Sequence, residues 1–234
     1  MTCLTVPERL AGNESPVTAG RVSPKVIWPR IELEAWMSSK VVAIVGSYRK
    51  GGVIDTAVEA VLEGAREKGA QTRTFYLTEQ HIEFCTHCRQ CAQAPGAERS
   101  KCPQQDDMES ILTEIEAADA IVLGSPVSFW NVTAIFRRFL ERTLGAIYWP
   151  WGQNAPSPRS KRQPRKAVLV ASAAMPGFLI PLATGAAKAL RLTAKILGAK
   201  PVGSLWIGLA AQEPHPRLSA RVLNRARRMG MKLA

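Results

Sequence analysis

From residue 40 onward the chain alternates short apolar runs with amphipathic stretches. "VVAIVGS" (41–47) is β-branched and closes on Gly-Ser, which predicts a buried strand. "VIDTAVEAVLEGAREKGA" then sets Val58, Val61, Leu62 and Ala65 on one helical face, with Glu59, Glu63 and Glu67 off it. Arg66 and Lys68 suit its last turn, and Gly69 stops it. "QTRTFYLT" (71–78) alternates as a second strand should. "DDMESILTEIEAADA" reads as a helix with a capping box from Asp106 to Glu109.

The alternation continues. "AIVLGSP" (120–126) is a third strand. "NVTAIFRRFLERTLGAI" is a helix opposing Ile135, Phe136, Phe139, Leu140 and Leu144 to Arg137, Arg138, Glu141 and Arg142. "PSPRSKRQPRK" (156–166) reads as a basic surface loop, and "AVLVASAAMPG" (167–177) as a fourth strand. "GAAKALRLTAKILGA" is a helix and "KPVGSLWIGLA" a fifth strand. A last helix aligns Leu218, Val222, Ala226, Met229 and Leu233. Buried strands alternating with helices predict an α/β fold, a parallel sheet covered on both faces.

Residues 1–37 show no such period and carry Pro7, Gly12, Pro16, Gly20, Pro24 and Pro29. They are expected to form a flexible N-terminal extension, or to precede a true start at Met37. The domain is expected over 38–234. No secretory signal is visible in the first residues, which lack an apolar core and include Glu8 and Glu14. The uncharged run 167–187 is long enough to raise a membrane span, but Pro176, Gly177, Pro181 and Gly185 break it.

Composition adds two facts. The apolar fraction of 46% supports a globular core. Charge is uneven: residues 1–155 hold 16 Lys/Arg and 18 Asp/Glu, whereas 156–234 hold 15 Lys/Arg and only Glu213. A basic half attracts anions. There is no RNA-reading aromatic motif and no DNA-reading basic helix, so nucleic acid is not the expected partner.

In an open parallel sheet, ligands sit beyond the carboxyl ends of the strands. Three such ends have loop-like sequence. "GSYRKGGVIDT" (46–56) offers a hydroxyl at Ser47, charge at Arg49 and Lys50, glycines at 51 and 52, and a helix N-terminus behind them. That is a phosphate cradle, though neither a Walker loop nor a GxGxxG fingerprint. "GSPVSFWNVT" (124–133) and "ASAAMPGFL" (171–179) add backbone polar groups and apolar surface, which suit a flat ring with polar edges. No Ser/His/Asp set or paired carboxylates stand out.

Four of the five cysteines lie together, at Cys85, Cys88, Cys91 and Cys102. Three thiols two residues apart plus a fourth suit an iron–sulfur cluster. Zinc, which generally pairs separated Cys-x2-Cys knuckles, and free or structural thiols stay open as alternatives. The density of thiols points to a reducing, cytoplasmic setting. His87 is read as an exposed loop histidine.

Together "GSYRKGGVIDTAVEAVLEGA", "CTHCRQC…CPQQDDM", "IVLGSPVSFWNVTAIFRRFLERT" and "ASAAMPGFL" resemble the flavodoxin-like NAD(P)H-dependent FMN reductase family over about residues 38–210. The cysteines place the resemblance on the branch that includes the iron–sulfur flavoproteins. It implies a three-layer sandwich with sheet order 2-1-3-4-5 and bound FMN. By it, the phosphate lies on Ser47, Arg49, Gly52 and the amides of Val53 and Ile54. The ring lies along Pro126, Val127, Ser128, Phe129 and Trp130, and Ala173, Ala174, Met175, Pro176 and Gly177 close the other side.

The resemblance also implies hydride transfer from NAD(P)H and onward reduction of a small-molecule or protein electron acceptor, in a homodimer or homotetramer. The alternative is an iron–sulfur flavoprotein that carries electrons, with a 4Fe–4S cluster on Cys85, Cys88, Cys91 and Cys102. Two departures stand out. Val53-Ile54 replace the Asn-Thr usual in the family, with Thr56 as a replacement for one lost contact and Asp55 unhelpful beside a phosphate. Ser128 stands where an aromatic Tyr is usual. The aromatic stretch "IYWPWGQ" (147–153) is read as a contact patch or a self-packed loop.

Overall fold

Five parallel strands form the centre of the fold in a computed structural model, which describes residues 38–159, 163–213 and 215–234. The expected extension 1–37 lies outside the described residues, and Met37–Ala234 form one compact unit. The strands are β1 (Lys40–Val45), β2 (Gln71–Tyr76), β3 (Ala120–Ser128), β7 (Arg165–Ser172) and β8 (Ala199–Ile207). Their order is β2-β1-β3-β7-β8, as expected for a flavodoxin-like sheet. The pairings β1–β2, β1–β3, β3–β7 and β7–β8 are all parallel, so every strand ends at the same rim.

Three short strands were not foreseen. β4 (Asn131–Val132) folds back on the end of β3, and β5 (Ile147–Tyr148) pairs with β6 (Ser157–Pro158). The stretch 156–166 is therefore not all loop.

Each sheet face is covered by helices whose apolar stripes the sequence announces. On one face lie α1 (Val53–Arg66) and α6 (Ala220–Gly230). Val58, Val61, Leu62 and Ala65 are buried there, with Ala226 and Leu233. α1 and α6 approach so closely that a Cβ on Gly64 would stand 2.0 Å from the Arg227 carbonyl oxygen. On the other face lie α2 (Met108–Glu116), α3 (Ala134–Glu141) and α5 (Ala186–Ile196), with α4 (Ile180–Ala183) a single turn before α5. No helix among the described residues is long and apolar enough to cross a membrane. The run 167–187 is β7, a turn and the start of α5.

Two local expectations are corrected. The capping box does not form: Asp106 accepts from the Met108 N–H at 3.0 Å, but Glu109 is taken by Arg99. Arg142 is not on a polar face. It is 3% exposed and paired with Asp106, the chain there having passed from α3 into a 3-10 turn (Arg142–Ala146).

Candidate active site

The rim beyond the strand ends is assembled by backbone-directed bonds. The Gly46 carbonyl at the end of β1 accepts from Thr133 Oγ1 at 2.6 Å. That threonine also caps α3 and contacts buried Ser125 of β3. The Ile135 N–H donates to the Tyr48 hydroxyl at 3.2 Å, which ties the first loop to the second again. The third loop follows β7, whose Ser172 pairs with Pro126 of β3. It is sewn to the end of β8 by Leu209 N–H to the Met175 carbonyl and Ala210 N–H to the Ala173 carbonyl, at 3.1 and 3.0 Å. The three loops therefore stand side by side at one rim.

Within that rim the residues divide by what they expose. Pro126, Val127 and Ser128 belong to β3 rather than to a loop. Phe129 and Trp130 form the two-residue turn between β3 and β4, with φ of 43° and 66°. Bulky side chains rarely enter this left-handed region, so the turn is strained. It displays both rings: Phe129 is 99% exposed and Trp130 64%. The Ala173 side chain is buried and Met175 packs on the core, so at those positions the backbone faces the rim. Ala174 and Pro176 are exposed. Gly177 lies so close to β8 that a Cβ would stand 2.5 Å from the Trp206 carbonyl oxygen.

At the first loop, Ser47 is 8% exposed, and its Oγ accepts from the Arg49 N–H at 3.2 Å. The side chains of Val53 and Ile54 turn into the core, leaving their amides. These are among the first N–H groups of α1 and have no carbonyl within the helix to bond. Asp55 does not point away from the cradle. Its Oδ2 accepts from the Gly51 N–H at 2.5 Å and its Oδ1 from the Tyr76 hydroxyl at 2.8 Å. Thr56 donates to the Gly51 carbonyl at 3.4 Å, so it is turned onto the loop. The strand-end loops thus offer exposed aromatic and backbone surface, whereas at the first loop Asp55 already occupies one N–H that a phosphate would take.

The cysteine loop leaves the same rim after β2 and is held by arginines. Arg142 reaches the Glu83 carbonyl at 2.8 Å and grips both oxygens of Asp106. Burial alone would raise the Asp106 carboxyl, but Arg142 and the N–H groups of Glu83 and Met108 hold it below the usual range. Arg159 spans the Cys91 and Ala94 carbonyls and Ser100 at 2.8–3.0 Å. Arg89 lies between the rings of Trp149 and Trp151, 3.8 and 4.3 Å from their centroids. "IYWPWGQ" is thus packed against the cysteine loop rather than only on itself, although Trp151 stays 66% exposed.

His87 and Arg89 both take positive φ, turning the chain sharply on either side of exposed Cys88. Burial and the thiolates of Cys102, Cys85 and Cys88 push the buried Cys91 thiol up to about 11. The four sulfurs therefore share a neighbourhood. Yet among the described residues no three Cys, His, Asp or Glu side chains converge to hold a metal. His87 is exposed, as expected.

Residues 39–212 match the family described as NADPH-dependent FMN reductase. The chain belongs to that family. Among curated relatives, an iron–sulfur flavoprotein of Archaeoglobus fulgidus is 33% identical over 105 residues, which is 45% of this chain and 46% of the relative. One of Methanocaldococcus jannaschii is 35% identical over 104 residues, 44% of this chain and 51% of the relative. The chain spans about half the length of the curated relatives it matches.

Two solved structures share the fold. The NAD(P)H:quinone oxidoreductase from Methanothermobacter marburgensis has a TM-score of 0.62 at 22% identity, over 84% of this chain and 100% of that one. An FMN-dependent NADH-azoreductase from Bacillus anthracis, in complex with FMN, has a TM-score of 0.58 at 12% identity, over 84% and 97%.

A cavity of about 860 Å³ lies elsewhere, at the opposite rim between the ends of α2 and α5. Its arginines are already engaged: Arg99 with Glu109 and Glu116, and Arg165 with the carbonyls of Ala118 and Leu197. The strand-end rim is instead a shelf that displays Tyr48, Phe129 and Trp130 to solvent.

Proposed function

We propose that the chain binds FMN on the shelf at the ends of β1, β3 and β7 and acts as an NAD(P)H-dependent oxidoreductase of the flavin or quinone reductase type. The observation that carries this reading is the cross-tying of those strand ends through Thr133 and Gly46, which aligns three loops at one rim of a parallel sheet. Membership of the FMN reductase family supports it.

FMN, when bound, would supply the redox chemistry, hydride uptake and onward electron delivery. The chain supplies position. Pro126, Val127 and Ser128 form the edge of the ring bed, and Phe129 and Trp130 stand beside it as exposed aromatic surface. The backbone from Ala173 to Gly177 closes the third side. Ser47, Arg49, Gly52 and the amides of Val53 and Ile54 face the ribityl-phosphate end. The exposed aromatics, with exposed Phe178 and Leu182 just after the third loop, suit a second copy of the chain against the shelf, in a cytoplasmic homodimer or homotetramer.

A second reading is an iron–sulfur flavoprotein that carries electrons between proteins. The shared neighbourhood of the four thiols favours it, although no three such side chains among the described residues converge to hold a metal. Iron and sulfide content of anaerobically purified protein decides between the two. For the first reading, FMN-loaded protein is mixed anaerobically with excess NADPH or NADH. Loss of the flavin absorbance supports it, and an unchanged spectrum with both nucleotides overturns it.

A further inference from the structure

A phosphate at a helix N-terminus satisfies unbonded N–H groups and complements the positive end of the helix dipole. In this chain an internal carboxylate already supplies the negative charge and takes one N–H of the same loop, while the amides of Val53 and Ile54 stay unbonded. The residue before α1 is Gly52, which has no side chain to cap it. The carboxylate of Asp55, in the first turn, takes the Gly51 N–H instead. Its other oxygen is fixed from β2 by the Tyr76 hydroxyl. Burial and Asp55 itself push that phenol up to about 12, so it remains a donor throughout the physiological range. Lys50 lies 4.7 Å over the Tyr76 ring and is paired with Glu79, so its charge is already shared with a carboxylate. The side chains of Val53 and Ile54 are in the core.

We propose that Asp55, clamped between Gly51 and Tyr76, stands in for the terminal phosphate of the flavin, so that the shelf takes the dephosphorylated flavin, riboflavin, nearly as well as FMN. The inference rests on the reading of the rim as a flavin site. A dianionic phosphate entering this cradle meets a fixed like charge and must compete with it for the Gly51 N–H. Like charges at close range disfavour binding. The ring bed formed by β3 and the loop after β7 is indifferent to the phosphate. The cost therefore falls on FMN alone.

The test is a pair of titrations of the purified full chain, stripped of flavin, followed by quenching of flavin fluorescence. Dissociation constants for FMN and riboflavin are expected within about tenfold of each other. Asp55→Asn keeps an acceptor for Gly51 and removes the charge. It should tighten FMN by about tenfold, roughly 1.4 kcal/mol, and leave riboflavin within about twofold. Tyr76→Phe unclamps the carboxylate and should move the ratio the same way by a smaller factor. It serves as the second variant should Asp55→Asn fail to fold, with thermal melting checking both.

A wild-type preference for FMN above about a hundredfold overturns the inference, as does a variant that shifts both flavins equally; the latter would make Asp55 a helix cap only. If neither flavin binds the wild type, the flavin reading itself falls and this inference with it.

Discussion

The strand-end shelf and the cysteine loop start from the same rim and are held by opposite means. The shelf is positioned by the sheet. Its loops follow parallel strands whose register places Gly46, Gly124 and Ser172 at neighbouring ends, and a single buried threonine links two of them. It leaves aromatic side chains exposed and a strained turn unrelieved. The cysteine loop has almost no regular structure, yet arginines from distant parts of the chain tie it down: Arg142 from beyond α3 and Arg159 from the end of β6, with Arg89 answering two tryptophans. A site built on strand ends needs only local sequence to place it. A site built on an irregular loop needs long-range partners, and here they are cations.

Breaking the arginine side of that contrast should have the largest effect. Arg142 and Asp106 are each 1% exposed at the side chain, so removing either charge strands the other in the interior. Breaking such a pair costs about 3–5 kcal/mol. Asp106→Asn should therefore lower the melting temperature by roughly 6–20 °C. The sign with pH follows from the depressed carboxyl. The pair's contribution is present above the ordinary aspartate pKa of about 3.9 and is lost as pH falls through the lower folded value. Thermal melts of wild type between neutral pH and acid should steepen below that point, and those of the variant should be flatter there. Equal melting temperatures would show that the loop does not depend on the pair.

The thiols themselves sharpen the comparison next. Hydrogen bonds from the Gln90 backbone and the Thr86 side chain lower the exposed Cys88 thiol, while burial and its three neighbours raise Cys91 to about 11. At pH 8 a thiol at that value is only about 0.1% ionised, and reactivity follows the thiolate. Alkylation mapped by mass spectrometry should modify Cys88 about a hundredfold faster than Cys91. A cluster or zinc on the four sulfurs would instead protect all of them together, so comparable slow labelling at every cysteine would overturn the free-thiol picture.

What the sequence revealed divides along the same line. The five strands and the buried faces of α1 and α6 follow from local periodicity, which fixes what a covered parallel sheet can bury; the strand order came only with the family resemblance. The arginine network was not legible. Arg142 reads as part of a polar face, although it stands three residues after Phe139 and seven after Ile135, the spacing of the apolar stripe; only Asp106, 36 residues earlier, explains a charge there. Glu109 fits a capping box until Arg99 claims it. The β3–β4 hairpin was missed because Phe-Trp is not the Asn-Gly or Asp-Gly chemistry that such a turn calls for. Asp55 was noticed as awkward beside a phosphate, but its clamp depends on Tyr76 of the next strand.

The smallest expected effect lies on the shelf, and its sign is the informative part. Trp130 holds φ at 66° with its ring mostly in solvent, so the side chain contributes little burial to set against its backbone strain. The Gly185 N–H bonds to the Trp130 carbonyl at 2.7 Å, a backbone contact that any residue at this position keeps. Trp130→Gly would remove strain of about 1–3 kcal/mol and return about 1 kcal/mol through the greater freedom of glycine in the unfolded chain. The net expectation is a gain of about 1 kcal/mol, read as a higher urea midpoint at unchanged slope. Substitutions that merely delete an aromatic seldom stabilise. A gain would therefore mark the turn as one held against its backbone preference, with its rings kept for what they meet outside the chain. A loss would mean that Trp130 is supported by packing, and would place the shelf with the cysteine loop as a region held by its own contacts.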